Sequence, residues 1–194
     1  MRNLASVPLV RKRSHSSMKL LLVFALLLPL RSYGQPASPR QLYQQAFRHI
    51  TSDSIFCRLQ GASRCVAVFD NVVHIPPLYF LEELGQQWGY TSSQQKRRLV
   101  DSLTAVDRSS YHKPYFSKLT ARLTTASGTE EGCVVVLFSR LANNMLLAEI
   151  SDNQNGGPGL RNILSTFDQS IQYLFVFGSD GKVQRCYTKF INHN

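Results

Sequence analysis

The stretch from residue 132 to residue 191 constrains the fold most, because it holds most of the strand-forming residues of the chain. Its apolar and aromatic runs lie at residues 133–138, 145–150, 171–177 and 182–190. Short β-branched and aromatic runs that are separated by Gly, Asn and Asp are typical of an antiparallel sheet. The first run is apolar throughout, which predicts a strand that is buried on both faces.

The last two runs are predicted to form a β-hairpin. Asp180 and Gly181 lie between them. An Asp-Gly pair between two strands is a strong hairpin signal, because glycine readily adopts the positive φ that such a turn needs.

Stretches in the first half of the chain are predicted to be helices, because their apolar residues recur three or four positions apart. They are residues 40–50, residues 78–87 and, after a cap at residues 91–93, the stretch to about residue 106. Ser38 and Ser92 are candidate N-caps of the first and the last of these helices. The predicted core positions are Leu42, Ala46, Ile50, Leu81, Leu84, Leu99, Leu103 and Val106.

The remaining segments are predicted from shorter patterns. The expected strands are residues 55–59, 65–69 and 117–125, and the expected loops are residues 109–116 and 153–159. Residues 160–167 are predicted to be a short helix over the sheet.

Together these elements predict one α+β domain over residues 39–194, after a short leader at residues 35–38. Its N-terminal helices would pack on a C-terminal antiparallel sheet of four to six strands. In element order alone, the chain is similar to cone-shaped folds of the cystatin or nuclear-transport-factor-2-like kind.

Residues 1–34 are predicted to be a secretory signal peptide. Basic residues up to Lys19 precede a nine-residue apolar run at 20–28, and a small-residue pattern, Ser32-Tyr-Gly34, precedes Gln35. We expect cleavage between Gly34 and Gln35 and a secreted or periplasmic protein. A short membrane anchor is the alternative, although the run is shorter than the roughly 20 residues that a span needs. Met18 is an alternative start of the chain.

Removal of the predicted signal peptide lowers the net charge of the chain. The whole chain has a formal net charge of +10, from 22 Lys and Arg against 12 Asp and Glu. Six of the basic residues and none of the acidic ones lie in residues 1–34, so the mature part carries 16 against 12 and a net charge of +4. Such a modest charge does not favour a nucleic-acid partner.

All four cysteines lie in the predicted mature part. Export would place Cys57, Cys65, Cys133 and Cys186 where disulfides persist, and an even number fits two bridges. Sequence does not choose among the three pairings. A local Cys57–Cys65 bridge with a Cys133–Cys186 bridge between strands is one expectation, and four buried free thiols are the alternative.

Known catalytic and binding motifs match poorly. Residues 84–98 resemble a DNA-binding helix-turn-helix, but Gln95 and Arg98 stand where the family has apolar residues. Ser110 and Lys113, with the later 151–153, are similar to two motifs of the penicillin-recognising serine enzymes, but the third motif is missing and Pro114 disfavours the required helix. The spacing of His and Cys predicts no metal site, and we expect no cofactor.

Aromatic residues give the best candidate for a binding site. The candidate residues are Trp88 and Tyr90 at a turn between helices, and Tyr111, His112 and Tyr115 in a later loop. Exposed rings near cations suit a protein, peptide or glycan ligand. The alternative is that most of them cover the edge of the core.

The resulting hypothesis is a non-enzymatic, exported binding or envelope-associated module. The competing hypothesis is a small secreted hydrolase whose site combines residues that are distant in sequence. A histidine such as His74, or Cys133, beside a carboxylate in a pocket would favour the hydrolase.

Overall fold

The computed structural model describes residues 37–60, 65–126, 131–153 and 169–192. The predicted signal peptide, the first half of the leader, most of the predicted loop at 153–159 and the predicted helix at 160–167 lie outside these ranges. They stay predictions.

The described residues form helices around one sheet. The helices are α1 (Pro39–Ser52), α2 (Ser54–Gln60), a 3-10 helix (Pro77–Phe80), α3 (Leu81–Gln87) and α4 (Ser93–Ser110). The strands are β1 (Val66–Val72), β2 (Tyr115–Phe116), β3 (Cys133–Phe138), β4 (Met145–Asn153), β5 (Gln169–Phe177) and β6 (Val183–Asn192). The predicted α+β class is confirmed, with a sheet of six strands in the order β2-β1-β3-β4-β5-β6.

The central strand β3 is buried on both faces, as its composition predicts. Val134, Val136 and Phe138 belong to the core that contains α1 and α2. Cys133, Val135 and Leu137 belong to a second core that contains α3 and α4. The helices therefore cover both faces of the sheet, and the similarity to a cystatin or nuclear-transport-factor-2-like cone is not confirmed.

The sheet is mixed, whereas the sequence predicted an antiparallel one. β1 pairs with β3 in parallel, with Val66 opposite Val134. Parallel neighbours need a long crossover, and here the 3-10 helix, α3, α4 and β2 lie between the two strands in the chain. The residue pattern within a single strand does not indicate whether its neighbour in the sheet runs parallel or antiparallel to it.

The parallel pairing also determines the disulfide. Cys65 precedes β1 and Cys133 begins β3, so the register brings them side by side, with a Cα–Cα distance of 4.6 Å and an S–S bond of 2.05 Å. The expected Cys57–Cys65 and Cys133–Cys186 bridges are therefore wrong. Cys57 and Cys186 are free thiols, exposed and half-buried respectively.

Residues 55–59 were predicted to be a strand, but they lie in α2. The carboxylate Oδ1 of Asp53 accepts a hydrogen bond from the backbone N–H of Ile55 at 2.9 Å, which stabilises the start of the helix. Phe56 is fully buried in the core with α1. Here capping and tertiary packing outweigh the strand preference of Ile and Phe.

Residues 117–125 were also predicted to be a strand, but they form turns beside the edge of β1. The hydroxyl of Thr120 donates to the carbonyl of Asp70 at 2.7 Å. The hydroxyl of Thr124 accepts from the N–H of Val68 at 3.0 Å. Threonine side chains thus satisfy the free side of β1 where β2 does not reach it.

The predicted helices are confirmed, with longer or shifted ends. Ser38 and Ser92 form capping boxes, and the predicted core face of α1 is buried. The stretch at 78–87 starts as a 3-10 helix, and α4 continues to Ser110. Leu99 and Leu103 are buried, but Val106 is 43% exposed, so its predicted core position is wrong.

The predicted C-terminal hairpin is confirmed. β5 and β6 pair antiparallel along their length, and Gly181 in the turn has a φ of 73°. Within the described ranges, no helix combines the length and the apolar character that a membrane span requires.

Tyr43 joins α1 to the loop after β3. Its hydroxyl donates to the carbonyl of Ser139 at 2.8 Å and accepts from the N–H of Leu141 at 3.2 Å. Burial raises the pKa of Tyr43 to about 12 from its ordinary 10.0. The neutral phenol is therefore the form that the fold stabilises.

Tyr43→Phe is expected to lower the free energy of unfolding by about 1–3 kcal/mol, because the carbonyl of buried Ser139 loses its donor and the half-buried N–H of Leu141 loses its acceptor. Wild type should also lose the contribution of this phenol as the pH rises from about 10 through about 12, because the folded pKa is the higher one. The variant should lose less stability than wild type over this pH range, because Tyr173 and Cys186, whose pKa values are also raised, titrate in both proteins. Urea denaturation across pH measures both effects, with the exposed Tyr79→Phe as control. Equal losses in the two variants would contradict the role of the hydroxyl.

Candidate functional site

The connection between α4 and β2 is short and carries a series of rings. α4 ends at Ser110, and Tyr111 leaves the helix with an extended ψ of 130°. Pro114 has no N–H to donate and biases Lys113 towards an extended backbone. The chain then enters β2 at once, where Tyr115 pairs with Val72 of β1. The rings of this connection are thus anchored by a helix on one side and by a strand on the other.

His74, which follows β1, forms the centre of this region. Its Nε2 lies 2.9 Å from Oδ1 of Asp107 in the last turns of α4. The side chains of His74 and Asp107 are 16% and 32% exposed. A carboxylate only accepts hydrogen bonds, so Nε2 of His74 donates, and in the neutral ring Nδ1 is left as an acceptor.

The neighbouring rings surround His74. Its ring centroid lies 5.2 Å from that of Tyr111 and 6.1 Å from that of His112, both in edge-on geometry. His112 in turn lies 4.9 Å from Tyr115. We call His74, Tyr111, His112 and Tyr115 the ring cluster. Aromatic pairs at these distances attract each other beyond their buried area, so the cluster holds its own arrangement.

The two tyrosines of the ring cluster are exposed to solvent. Tyr111 is 68% exposed and Tyr115 is 43% exposed, and the adjacent Phe116 is 60% exposed. His112 is half-buried, and its Nδ1 lies 3.1 Å from the carbonyl of Lys113, which orients the ring. Scattered exposed rings need no explanation, but neighbouring ones make this surface a candidate for an interaction site.

The structure brings together three of the five candidate residues. Tyr111, His112 and Tyr115 lie in the ring cluster, whereas Trp88 and Tyr90 form a separate pair at the α3–α4 turn, 6.1 Å apart. Trp88 is 43% exposed. Tyr90 is half-buried against the core that contains α3 and α4, which agrees with the alternative reading of a ring at the edge of the core.

Sequence reasoning missed Asp107 and did not place His74 in the site. The carboxylate that contacts His74 is 33 residues away in sequence. The pair depends on how α4 packs beside the end of β1. A histidine just after an apolar strand was the only local signal.

The ring cluster can do two kinds of chemistry. The exposed rings can stack on a ligand, and His74, oriented by Asp107, can exchange a proton at its Nδ1. In the part of the chain that the structure describes, the His74 ring forms its hydrogen bond with Asp107, and no serine or cysteine is hydrogen-bonded to it as a nucleophile would be. No group of three or more His, Cys, Asp or Glu among the described residues is arranged to hold a metal ion.

The chain matches no protein-family model, no curated protein and no solved structure.

Proposed function

We propose that the protein is an exported, non-enzymatic binding module that holds a protein or peptide partner on the ring cluster. The observation that carries this proposal is the exposure of Tyr111, Tyr115 and Phe116 within six residues of the chain, beside an anchored histidine. Tyrosine is enriched among the residues that dominate binding energy at protein interfaces.

Preorganisation supports the proposal. Tyr115 and Phe116 are paired with β1, and Tyr111 contacts a histidine that Asp107 fixes. Rings that are already ordered lose little conformational entropy when a partner binds. The binding free energy of each ring contact is therefore little reduced by the cost of ordering the ring.

Export is the second part of the proposal. The Cys65–Cys133 disulfide fits an oxidising, extracellular type of compartment. The N-terminal sequence supports a cleaved signal peptide, because basic residues, an apolar run and small residues precede Gln35. Such a peptide would direct the protein to the periplasm or out of the cell.

The test is to select peptides from a displayed random library on the oxidised protein and to measure their affinities by calorimetry. Tyr111→Ala and Tyr115→Ala are each expected to weaken binding by at least about 2 kcal/mol, or roughly 30-fold, because both rings would be central contacts. Trp88→Ala is the matched control, since Trp88 has the same 43% exposure as Tyr115 but lies outside the ring cluster.

Peptides whose affinity depends on Trp88 and not on the tyrosines would contradict the placement of the site. A parallel glycan array covers the other ligand class. Binding to glycans alone that is lost in the same tyrosine variants would support the location of the site but contradict the protein or peptide partner.

The His74–Asp107 pair favours a second candidate, a small exported hydrolase. An imidazole that is oriented by a carboxylate is the general base of many hydrolases, and water could serve as the nucleophile. Trp88→Ala and one further variant, His74→Ala, separate the two functions. Hydrolysis of a chromogenic ester that is kept in Trp88→Ala and lost in His74→Ala would replace the binding proposal by the enzyme.

A further inference from the structure

We propose that the partner of the ring cluster is an acidic peptide. Its apolar side chains contact the rings, and its carboxylates pair with the four exposed cations of residues 108–126. This proposal rests on the proposed function, because it names the chemical class of the ligand at the same site.

The excess positive charge of the predicted mature chain lies in one segment, residues 108–126, which we call the basic segment. It contains Arg108, Lys113, Lys118 and Arg122 and no Asp or Glu. The mature part holds 16 basic and 12 acidic residues, so the remainder holds 12 of each and has a formal net charge of zero. The net charge of +4 therefore comes from the segment that contains three of the four rings of the ring cluster.

The four cations of the basic segment are available to a partner. All four residues are exposed. Among the described residues, no ion pair includes any of the four. Asp107, which directly precedes the segment, has its carboxylate 2.9 Å from Nε2 of His74. A ligand with several carboxylates would therefore supply opposite charges that these cations lack within the described part of the fold.

Two of the cations lie beside the rings as a consequence of chain geometry. The carbonyl of Lys113 is 3.1 Å from Nδ1 of His112. Consecutive Cα atoms are about 3.8 Å apart, so the Cα of Lys113 lies within about 8 Å of those of Tyr111 and Tyr115. Arg108 is in the last turn of α4, three residues before Tyr111. A carboxylate of a peptide that is bound on the rings is thus close to both cations.

The turns that contain Lys118 and Arg122 follow the edge of β1. Their far end is fixed by the hydroxyl of Thr124, which accepts from the N–H of Val68 at 3.0 Å. Val68 lies four residues before the end of β1 at Val72, where β2 and the ring cluster begin. At about 3.3 Å per residue, the turns follow β1 for roughly 13 Å, which is the length of about four extended peptide residues.

The combination of rings and cations favours a peptide in which acidic residues flank an apolar one. The rings give a contact surface for an apolar or aromatic side chain, and each cation attracts a carboxylate. Opposite charges also speed association and discriminate against basic partners. Single-stranded nucleic acid combines stacking bases with negative charge in a similar way, so the test includes it.

The test uses the tyrosine-dependent peptides that the library selection yields on the oxidised mature chain. We expect Asp and Glu to be enriched in these peptides over the unselected library. Arg108→Gln/Lys113→Gln/Lys118→Gln removes three cations and should weaken binding roughly tenfold at low salt, because three exposed charge contacts are lost together. Raising the salt concentration should weaken the binding of wild type in the same direction, because salt screens exposed charges.

Lys96→Gln/Arg97→Gln/Arg98→Gln is the matched control. It changes the net charge equally, at three exposed residues in the first turns of α4. Its binding should change by less than about twofold, because charges far from the site are screened. Neutral peptides, with Asn and Gln in place of Asp and Glu, should bind wild type and both triple variants alike, which also shows that the variants are folded.

Tyrosine-dependent peptides that are not enriched in Asp and Glu, and that bind wild type and the Arg108, Lys113 and Lys118 variant equally, would overturn the acidic partner and leave the proposed function standing. Equal losses in the two triple variants would also overturn it, because the overall charge would then explain the effect. So would a single-stranded DNA oligonucleotide that binds more tightly than every selected peptide and depends on the same tyrosines. A selection that yields no tyrosine-dependent peptide would instead contradict the proposed function, and the acidic partner with it.

Discussion

Replacing Cys65 and Cys133 together by Ala is expected to lower the free energy of unfolding by about 4 kcal/mol. The bond joins residues 68 apart, so in the unfolded chain it closes a long loop and removes much conformational freedom. It also fixes the start of β1 against the start of β3. The double replacement avoids leaving one unpaired buried thiol.

Urea denaturation of oxidised proteins measures this effect. Both chains should carry Cys57→Ser, so that no second bridge can form in either. The Cys57→Ser chain is itself the control, and its stability should stay within about 0.5 kcal/mol of wild type in the thiol form, because Cys57 is exposed. Equal stabilities with and without the Cys65–Cys133 bond would mean that the bond does not constrain the fold.

Phe138→Ala is expected to destabilise the protein by about 3–5 kcal/mol, because it empties a large buried volume. Phe138 is fully buried at the end of β3, and its ring meets that of Tyr43 edge-on at 5.5 Å. The change therefore weakens the contact between the central strand and α1. Thermal and urea denaturation of the purified variant measure the loss.

Phe190→Ala is the matched control for this prediction. Phe190 lies on β6 of the same sheet but is 63% exposed, so its replacement should cost less than about 0.5 kcal/mol. Similar losses in the two variants would show that Phe138 does not anchor α1.

Local patterns predicted those parts of the fold in which a residue and its neighbours in sequence decide the structure. The apolar run of β3, the Asp180-Gly181 turn and the periodic face of α1 are of this kind. Residues 55–59 and 117–125 were predicted wrongly because contacts outside each segment decide them. Phe56 packs into the α1 core, and the hydroxyls of Thr120 and Thr124 bond to β1.

The candidate site was predictable only in part, for the same reason. Tyr111, His112 and Tyr115 are close in sequence, so one loop with many rings indicated them. Trp88 lies in another turn and does not join them among the described ring contacts. The His74–Asp107 contact and the Cys65–Cys133 bond both depend on the placement of β1, which no pattern within a single element specifies.

The parallel pairing of β1 with β3 has a consequence for biosynthesis. If the chain is exported as proposed, it enters the oxidising compartment N-terminus first and presents Cys57 and Cys65 to the oxidising machinery well before Cys133 follows. The earliest bond available to Cys65 is therefore a non-native one with its near neighbour. Productive maturation then requires either delayed oxidation or a thiol isomerase that exchanges this early bond, so the yield of native protein depends on the host's reshuffling capacity.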